Sequence, residues 1–239
     1  MKSSLKSDFI RGILHGIPIA LGYLSVSFGF GITAVASGLS VGEASAISAS
    51  NVTSAGQAAG VDIIAAGGTI IEMILVQLTI NIRYSLMGIS LSQKLDKSFT
   101  LPHRLIASFG ITDEIFAVCS AQSKPLTPFY MYGMILIAIL GWILGTFLGA
   151  SAGQLLPAAI SSALGIVLYG MFLAIIIPPS RKHKSVLCVV IIAALASILF
   201  KYVLTAVSTG FAVIICAIAA SAVGALLFPV KDDTEEANE

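Results

Sequence analysis

An all-α polytopic membrane protein is the fold this sequence predicts, and three observations carry that prediction. Hydrophobic residues make up 57% of the 239 and charged residues only 10%, against about 25% charged in a soluble domain. Apolar runs long enough to cross a bilayer as a helix, which takes about 20 residues, recur from one end to the other. Between them lie two segments too polar or too interrupted to cross in the same way. The expected architecture is about six full transmembrane helices plus two broken or re-entrant polar segments, forming a single domain over residues 1–230. An acidic tail at 231–239 is expected to be disordered.

The first run, roughly 9–36, is longer than the apolar core of a secretory signal and reads as a spanning helix. Pro18 removes a backbone hydrogen bond, so a kink is expected in its first third. Residues 44–66 follow, where Ser45, Ser48, Ser50, Asn51, Thr53, Ser54 and Gln57 occupy nearly every side of a helix drawn at about 100° per residue. No face is left for lipid. Such a segment must be buried in protein or line water, where non-helical backbone is tolerated.

The span at about 69–92 carries Glu72, Thr79 and Arg83 on one side and Gln77, Asn81 and Tyr84 on another, which marks it as a central helix. A polar loop over 93–105 leads to a second interrupted segment, 105–122. There Gly110 breaks an apolar piece and Thr112-Asp113-Glu114 opens another, as a helix N-terminus with a hydroxyl cap and acidic first turn should.

Four more apolar runs follow at about 128–150, 159–177, 186–204 and 208–228, punctuated by Pro157, Pro178-Pro179 and Pro229. Gly141, Gly145, Gly149 and Gly153 recur every fourth residue, so they lie along one helix face and predict a closely packed neighbour in this chain or in a second subunit. Basic residues cluster at 2–11, 94–104 and 181–184, with Lys124 between. If both polar segments are re-entrant, all of these fall on one side, the cytoplasmic side by the positive-inside rule, with both termini there too.

Ionisable and amide groups at membrane depth mark a binding or permeation site by default. The candidates are Asn51, Gln57, Asn81, Arg83, Tyr84, Asp113 and Glu114 for a substrate, with Glu72, Asp113 and Glu114 as candidates for ion coupling. An unpaired mid-helix arginine costs about 2.5–3.5 kcal/mol on insertion scales, so Arg83 is expected to pair with Asp113 or Glu114. The other carboxylate would remain for an ammonium group or a proton.

The net charge of +1 gives no footing for nucleic acid. Cys119, Cys188 and Cys216 match no metal or disulfide spacing, and neither a cofactor nor a metal is called for. With no Walker-type phosphate loop and no His-Glu-x-x-His, the chain does not read as an ATPase or an enzyme.

Three stretches together resemble one family: Ala55-Gly56-Gln57, Asn81-Ile82-Arg83-Tyr84 and Thr112-Asp113-Glu114-Ile115-Phe116-Ala117. Their order and spacing are similar to those of the AzlC family, the large subunit of bacterial branched-chain amino-acid exporters. The family usually carries His where this chain has Tyr84. The resemblance implies a secondary exporter of small apolar amino acids in the bacterial cytoplasmic membrane, working with a small AzlD-type membrane partner. The glycine stripe adds the option of a higher oligomer. A structural or regulatory membrane subunit, or a transporter of another small metabolite, are the alternatives.

Overall fold

The computed structural model describes residues 5–153, 170, 173 and 176–229. Its helices are α1 (Leu5–Ala36), α2 (Val41–Ser50), α3 (Ser54–Ala65), α4 (Ile70–Ser92), α5 (Leu101–Phe109), α6 (Asp113–Ser120) and α7 (Pro128–Gly153). They are followed by α8 (Lys184–Tyr202) and α9 (Thr209–Leu227). Five of these, α1, α4, α7, α8 and α9, are long and apolar enough to cross a membrane. Most of the predicted run at 159–177 and the acidic tail lie outside the described residues. The fold is that of an all-α polytopic membrane protein.

The centre of the molecule is the pair α1 and α7, which lie side by side and parallel. Their contact is made by glycines. A Cβ on Gly141 would meet the Ala20 backbone, one on Gly145 the Leu24 backbone, one on Gly149 the Phe28 carbonyl, and one on Gly153 the Ile32 Cα. Helix α1 reciprocates, with Gly12 against Tyr130, Gly16 against Met134 and Gly31 against Thr146 and Ala150. The close neighbour foreseen for the glycine stripe is therefore within the chain. Without water to drive helices together, such backbone approach and the dispersion contacts it permits hold them. Helix α1 is not broken at Pro18. At its start the buried Asp8 accepts a hydrogen bond from Thr127 (3.0 Å) and pairs with Arg11 (3.3 Å), pinning the starts of both helices together.

The two polar segments are helical hairpins that enter from opposite ends of this pair. Gly38, with φ +97°, turns the chain at the end of α1, and Gly67, with φ +65°, turns it again after α3; only glycine adopts such angles without strain. Helix α2 runs inward beside α7, Ser48 bonding Thr146 at 2.7 Å. It stops at Asn51, whose backbone is extended, and Val52 reaches the core beside Tyr23 and Trp142. Helix α3 then starts at the cap Thr53 and returns, because Val61 packs with Phe30, Ala34, Leu39 and Ala44 at the end the hairpin entered from.

The second hairpin mirrors this from the other end. Helix α5 starts where His103 bonds Tyr132 of α7 (2.7 Å). It begins at Leu101 with Pro102 in its first turn, earlier than the apolar pattern alone suggests. It ends at Gly110, packed on Ile135. Helix α6 returns until the Ser120 carbonyl accepts from Lys94, and residues 94–96 pair with Leu126. Both segments are thus re-entrant, α1 with the first hairpin and α4 with the second having inverted topology, an arrangement common in secondary transporters.

The description of α4 as a central helix needs correction. Ile70, Ile74, Leu78, Ile82 and Leu86, spaced by four, form an exposed apolar stripe, as a helix on the rim of a membrane bundle presents to lipid. Its polar residues serve the two hairpins and α9 instead. Thr79, grouped by its angle with Glu72 and Arg83, is half-buried and bonds the Leu75 carbonyl of its own helix (2.8 Å).

Glu72 is buried, 4% exposed, and caps another helix. Its carboxylate accepts from the Ser208 hydroxyl (2.5 Å) and the Gly210 amide (2.9 Å) at the start of α9, where the orphan amides and the dipole favour an anion. Glu72→Ala is expected to lower stability by about 1–3 kcal/mol, the usual effect of losing a charged hydrogen-bond acceptor, and Glu72→Gln by less. Thermal unfolding in detergent measures this; an unchanged midpoint for Glu72→Ala would show that the cap holds nothing.

Candidate functional site

The two hairpin breaks meet. Residues 51–53 and 110–112 come together at mid-height of the α1–α7 pair, and an open cavity of about 280 Å³ forms between them and α4. Its wall includes Val52, Ser54 and Ala55 from the first break, Thr112, Asp113 and Glu114 from the second, and Ile80, Arg83 and Tyr84 from α4. Tyr23 of α1 and Trp142 of α7 form the back, and Ile176 also contributes. The volume sits at the small end of the roughly 300–1,000 Å³ typical of small-molecule sites. A larger recess of about 660 Å³ lies between α8 and α9, but among the described residues Lys201 is its one charged lining residue. The smaller cavity gathers charges of both signs.

Each charge there is placed by local structure. Thr112 caps α6, its hydroxyl accepting from the Ile115 amide, which sets Asp113 and Glu114 in the first turn, where the helix dipole favours carboxylates. Arg83 reaches across from α4 and forks onto Asp113, Nη1 to Oδ1 at 3.0 Å and Nη2 to Oδ2 at 2.8 Å. This is the bidentate geometry that guanidinium and carboxylate share. The pair is half-exposed, at 42% and 37% of the two side chains, so it faces the cavity rather than lying locked in a core. Arg83 also contacts Tyr84, Nη2 to the hydroxyl at 3.3 Å, with its guanidinium 5.0 Å from the ring centroid.

Glu114 lies on the other side of the site. Among the described residues no basic side chain pairs with it. The Tyr23 hydroxyl lies 2.6 Å from its Oε2 and 2.5 Å from Thr112 Oγ1. Tyr23 has one proton to give, and the carboxylate is the stronger acceptor, which leaves the Thr112 hydroxyl to donate to the tyrosine oxygen. The Tyr23 ring meets Trp142 edge to face at 5.2 Å.

The remaining candidates lie behind the wall rather than on it. Gln57 is buried at 1% exposure and fully engaged: it accepts from Trp142 Nε1 (2.8 Å) and donates to Ser48 (2.8 Å), which continues to Thr146. Asn81 accepts from Thr53 (2.7 Å) and donates to Gln77 (3.0 Å), which donates to the Gly56 carbonyl (2.8 Å). These chains fasten the first hairpin to α7 and α4. Asn51 ends α2 without lining the cavity, and Glu72 is committed to α9. Of the substrate candidates, the structure therefore brings Arg83, Tyr84, Asp113 and Glu114 together and sets Asn51, Gln57 and Asn81 outside the wall. Sequence reasoning missed Tyr23 and Trp142, because an aromatic in an apolar helix carries no mark that it faces a site.

Gln57→Leu is expected to cost about 1–3 kcal/mol, since it leaves Trp142 Nε1 and Ser48 buried without that partner. A detergent melt tests this; no loss of thermal stability would mean that water or a rearranged neighbour replaces the amide.

One motif needs its structural context. Gly149-Ala150-Ser151-Ala152-Gly153 has the Gly-x-Ser-x-Gly spacing of hydrolase nucleophile elbows, which require a strand-turn-helix. Here it lies within continuous α7, its glycines packed on α1.

Comparison with known proteins agrees with the geometry. The sequence profile described as "AzlC protein" matches residues 18–156, a span holding both hairpins and the cavity's charged residues. The chain is 27% identical over 213 residues to the inner membrane protein YgaZ of Escherichia coli K12, covering 85% of this chain and 86% of that one. It is 31% identical over 179 residues to an uncharacterized membrane protein of Archaeoglobus fulgidus, covering 73% and 77%. No solved structure matches it. On the extent of these matches, the chain belongs to the AzlC family of membrane proteins.

Proposed function

We propose that this chain is the large subunit of a secondary exporter of branched-chain or similar small apolar amino acids. It acts in the bacterial cytoplasmic membrane with a small AzlD-type membrane partner. The observation that carries the reading is the cavity where the two hairpins meet, which has a positive and a negative pole on one mostly apolar wall. A zwitterionic amino acid has the complementary charges, and Val52, Ile80 and Ile176 on the wall offer an apolar surface to its side chain.

The positive pole is Arg83 together with the start of α3. That helix has no acidic residue in its first turn, so its dipole and free amides at Ser54 and Ala55 are available to a carboxylate. The negative pole is Glu114. The chemistry needed is binding and release with no covalent step, so the reading is of a transporter and not an enzyme, and neither a nucleic acid nor a cofactor enters it.

Orientation follows from charge. Lys6, Arg11, Lys94, Lys97, Arg104 and Lys124 belong to the end where α1 and α7 start, which the positive-inside rule assigns to the cytoplasm together with the N-terminus.

The test is efflux of leucine, isoleucine and valine from preloaded cells expressing this chain with its small partner. Efflux above that of cells lacking the chain supports the reading, and its absence at normal membrane abundance overturns it. Assembly with the partner but no flux of any small metabolite would favour a structural or regulatory subunit.

A further inference from the structure

The two neighbouring carboxylates of the cavity are not equivalent, and the difference bears on how transport is driven. Asp113 is held by both ends of the Arg83 guanidinium. Glu114 has no cationic partner among the described residues, accepts one hydroxyl donor and stays exposed to the cavity. Resting on the amino-acid reading above, we infer that Glu114 is the single position shared by the substrate's ammonium group and a proton, which makes the protein a proton–amino-acid exchanger.

The surroundings of Glu114 fit a cation. The Tyr23 and Trp142 rings stand beside it in an edge-to-face pair, with Tyr84 across the cavity. Aromatic faces attract an ammonium ion and attract a neutral group far less. Among the described residues, the titratable and charged groups facing Glu114 are Tyr23 from α1, Arg83 and Tyr84 from α4, and Asp113 from its own helix; α3 and α7 contribute none to the cavity wall. Arg83 already has a carboxylate partner in Asp113, so Glu114 is the acidic group of the wall left without a cation among the described residues.

The exchange balances without a further reactant. An ammonium group that enters against the protonated carboxyl takes the place of its proton, which leaves to solution and leaves the carboxylate paired with the ammonium; a proton that returns to the carboxylate releases the ammonium. One proton therefore moves inward for each amino acid that leaves. Because the zwitterion has no net charge, each cycle moves one positive charge, so both a pH gradient and a membrane potential drive efflux.

Asp113 would give the opposite coupling. A substrate carboxylate taking Arg83 from it would leave Asp113 readier to accept a proton, so substrate and proton would bind together. The sign of the pH effect thus tells the two carboxylates apart.

Trp142 is the chain's one tryptophan and lines the cavity, so its fluorescence reports occupancy directly. The experiment titrates purified full-length protein with L-leucine, L-isoleucine, L-valine and L-methionine across about pH 5–8. Competition for one site predicts an apparent Kd that rises about tenfold per pH unit on the acidic limb. Glu114→Gln should bind more weakly and show no such limb.

Binding by wild type with no acidic limb, or a limb that survives in Glu114→Gln, overturns the inference while leaving the amino-acid reading intact. Tighter binding at low pH overturns it in favour of Asp113. No fluorescence or competition response to any of the four amino acids overturns both.

Discussion

Leucine efflux by cells carrying Arg83→Ala is expected to fall roughly 10- to 100-fold below wild type at equal membrane abundance. The figure follows from one charge-assisted hydrogen bond to a substrate carboxylate, worth about 1.5–3 kcal/mol. Alanine also leaves Asp113 and Glu114 adjacent with no cation, so the cavity becomes strongly anionic and repels the carboxylate. Arg83→Lys should recover only part of the activity, because an ammonium supplies the charge without the fork that reaches both Asp113 oxygens. Asp113→Asn should also impair efflux. Combining it with Arg83→Ala should cost much less than the sum of the two losses, since each variant breaks the same pair. The measurement is initial efflux rate normalised to protein in the membrane. Wild-type rates in Arg83→Ala would mean that the ion pair is structural.

Replacing Gly149 by leucine is expected to remove folded protein altogether. A Cβ at this position overlaps the Phe28 carbonyl oxygen, and a backbone atom cannot rotate aside as a side chain can. Helices α1 and α7 would have to separate, and every other glycine contact in the seam would open with them. Overpacking a core typically costs 1–3 kcal/mol when side chains can shift. Here the loss should exceed that and approach the 5–15 kcal/mol of a typical fold. The control is Gly22→Ala, where nothing lies within 4 Å of the new methyl and the better helix propensity of alanine acts alone. Size-exclusion profiles and membrane abundance test the pair: Gly149→Leu should be aggregated or degraded, and Gly22→Ala should match or exceed wild type. A monodisperse Gly149→Leu protein would mean that α1 and α7 do not pack through this face.

Much of the fold was legible because membrane chains leave few ways to satisfy polar groups. A segment as polar as 44–66 cannot meet lipid, and the Thr112 cap marks where a helix restarts after the second break. The four-residue glycine spacing declared a close contact, although its partner, α1, could only come from the three-dimensional structure.

The error over α4 has a physical cause. Its polar residues were counted by angle alone, while the stripe of Ile70, Ile74, Leu78, Ile82 and Leu86 already formed a continuous outward face. At the site, residues whose charge needs a partner were legible. Arg83 does pair with Asp113, and Glu114 is left free of a cation among the described residues. The amides misled, because Gln57 and Asn81 have the same composition whether they bind a ligand or tie one helix to another. Only their saturated hydrogen bonds distinguish the two.

The central claim, that the amino acid passes through the cavity between the hairpins, is most directly tested by substrate protection. Ala55 lines the cavity at the start of α3 and does not belong to the charged set. Ala55→Cys, in a chain whose Cys119, Cys188 and Cys216 are replaced by alanine, would be labelled with a small polar thiol reagent with and without saturating leucine. If the substrate sits where the two hairpins meet, leucine slows labelling several-fold and Arg83→Ala abolishes the protection. An active transporter whose labelling rate is unaffected by leucine would carry its substrate by another route.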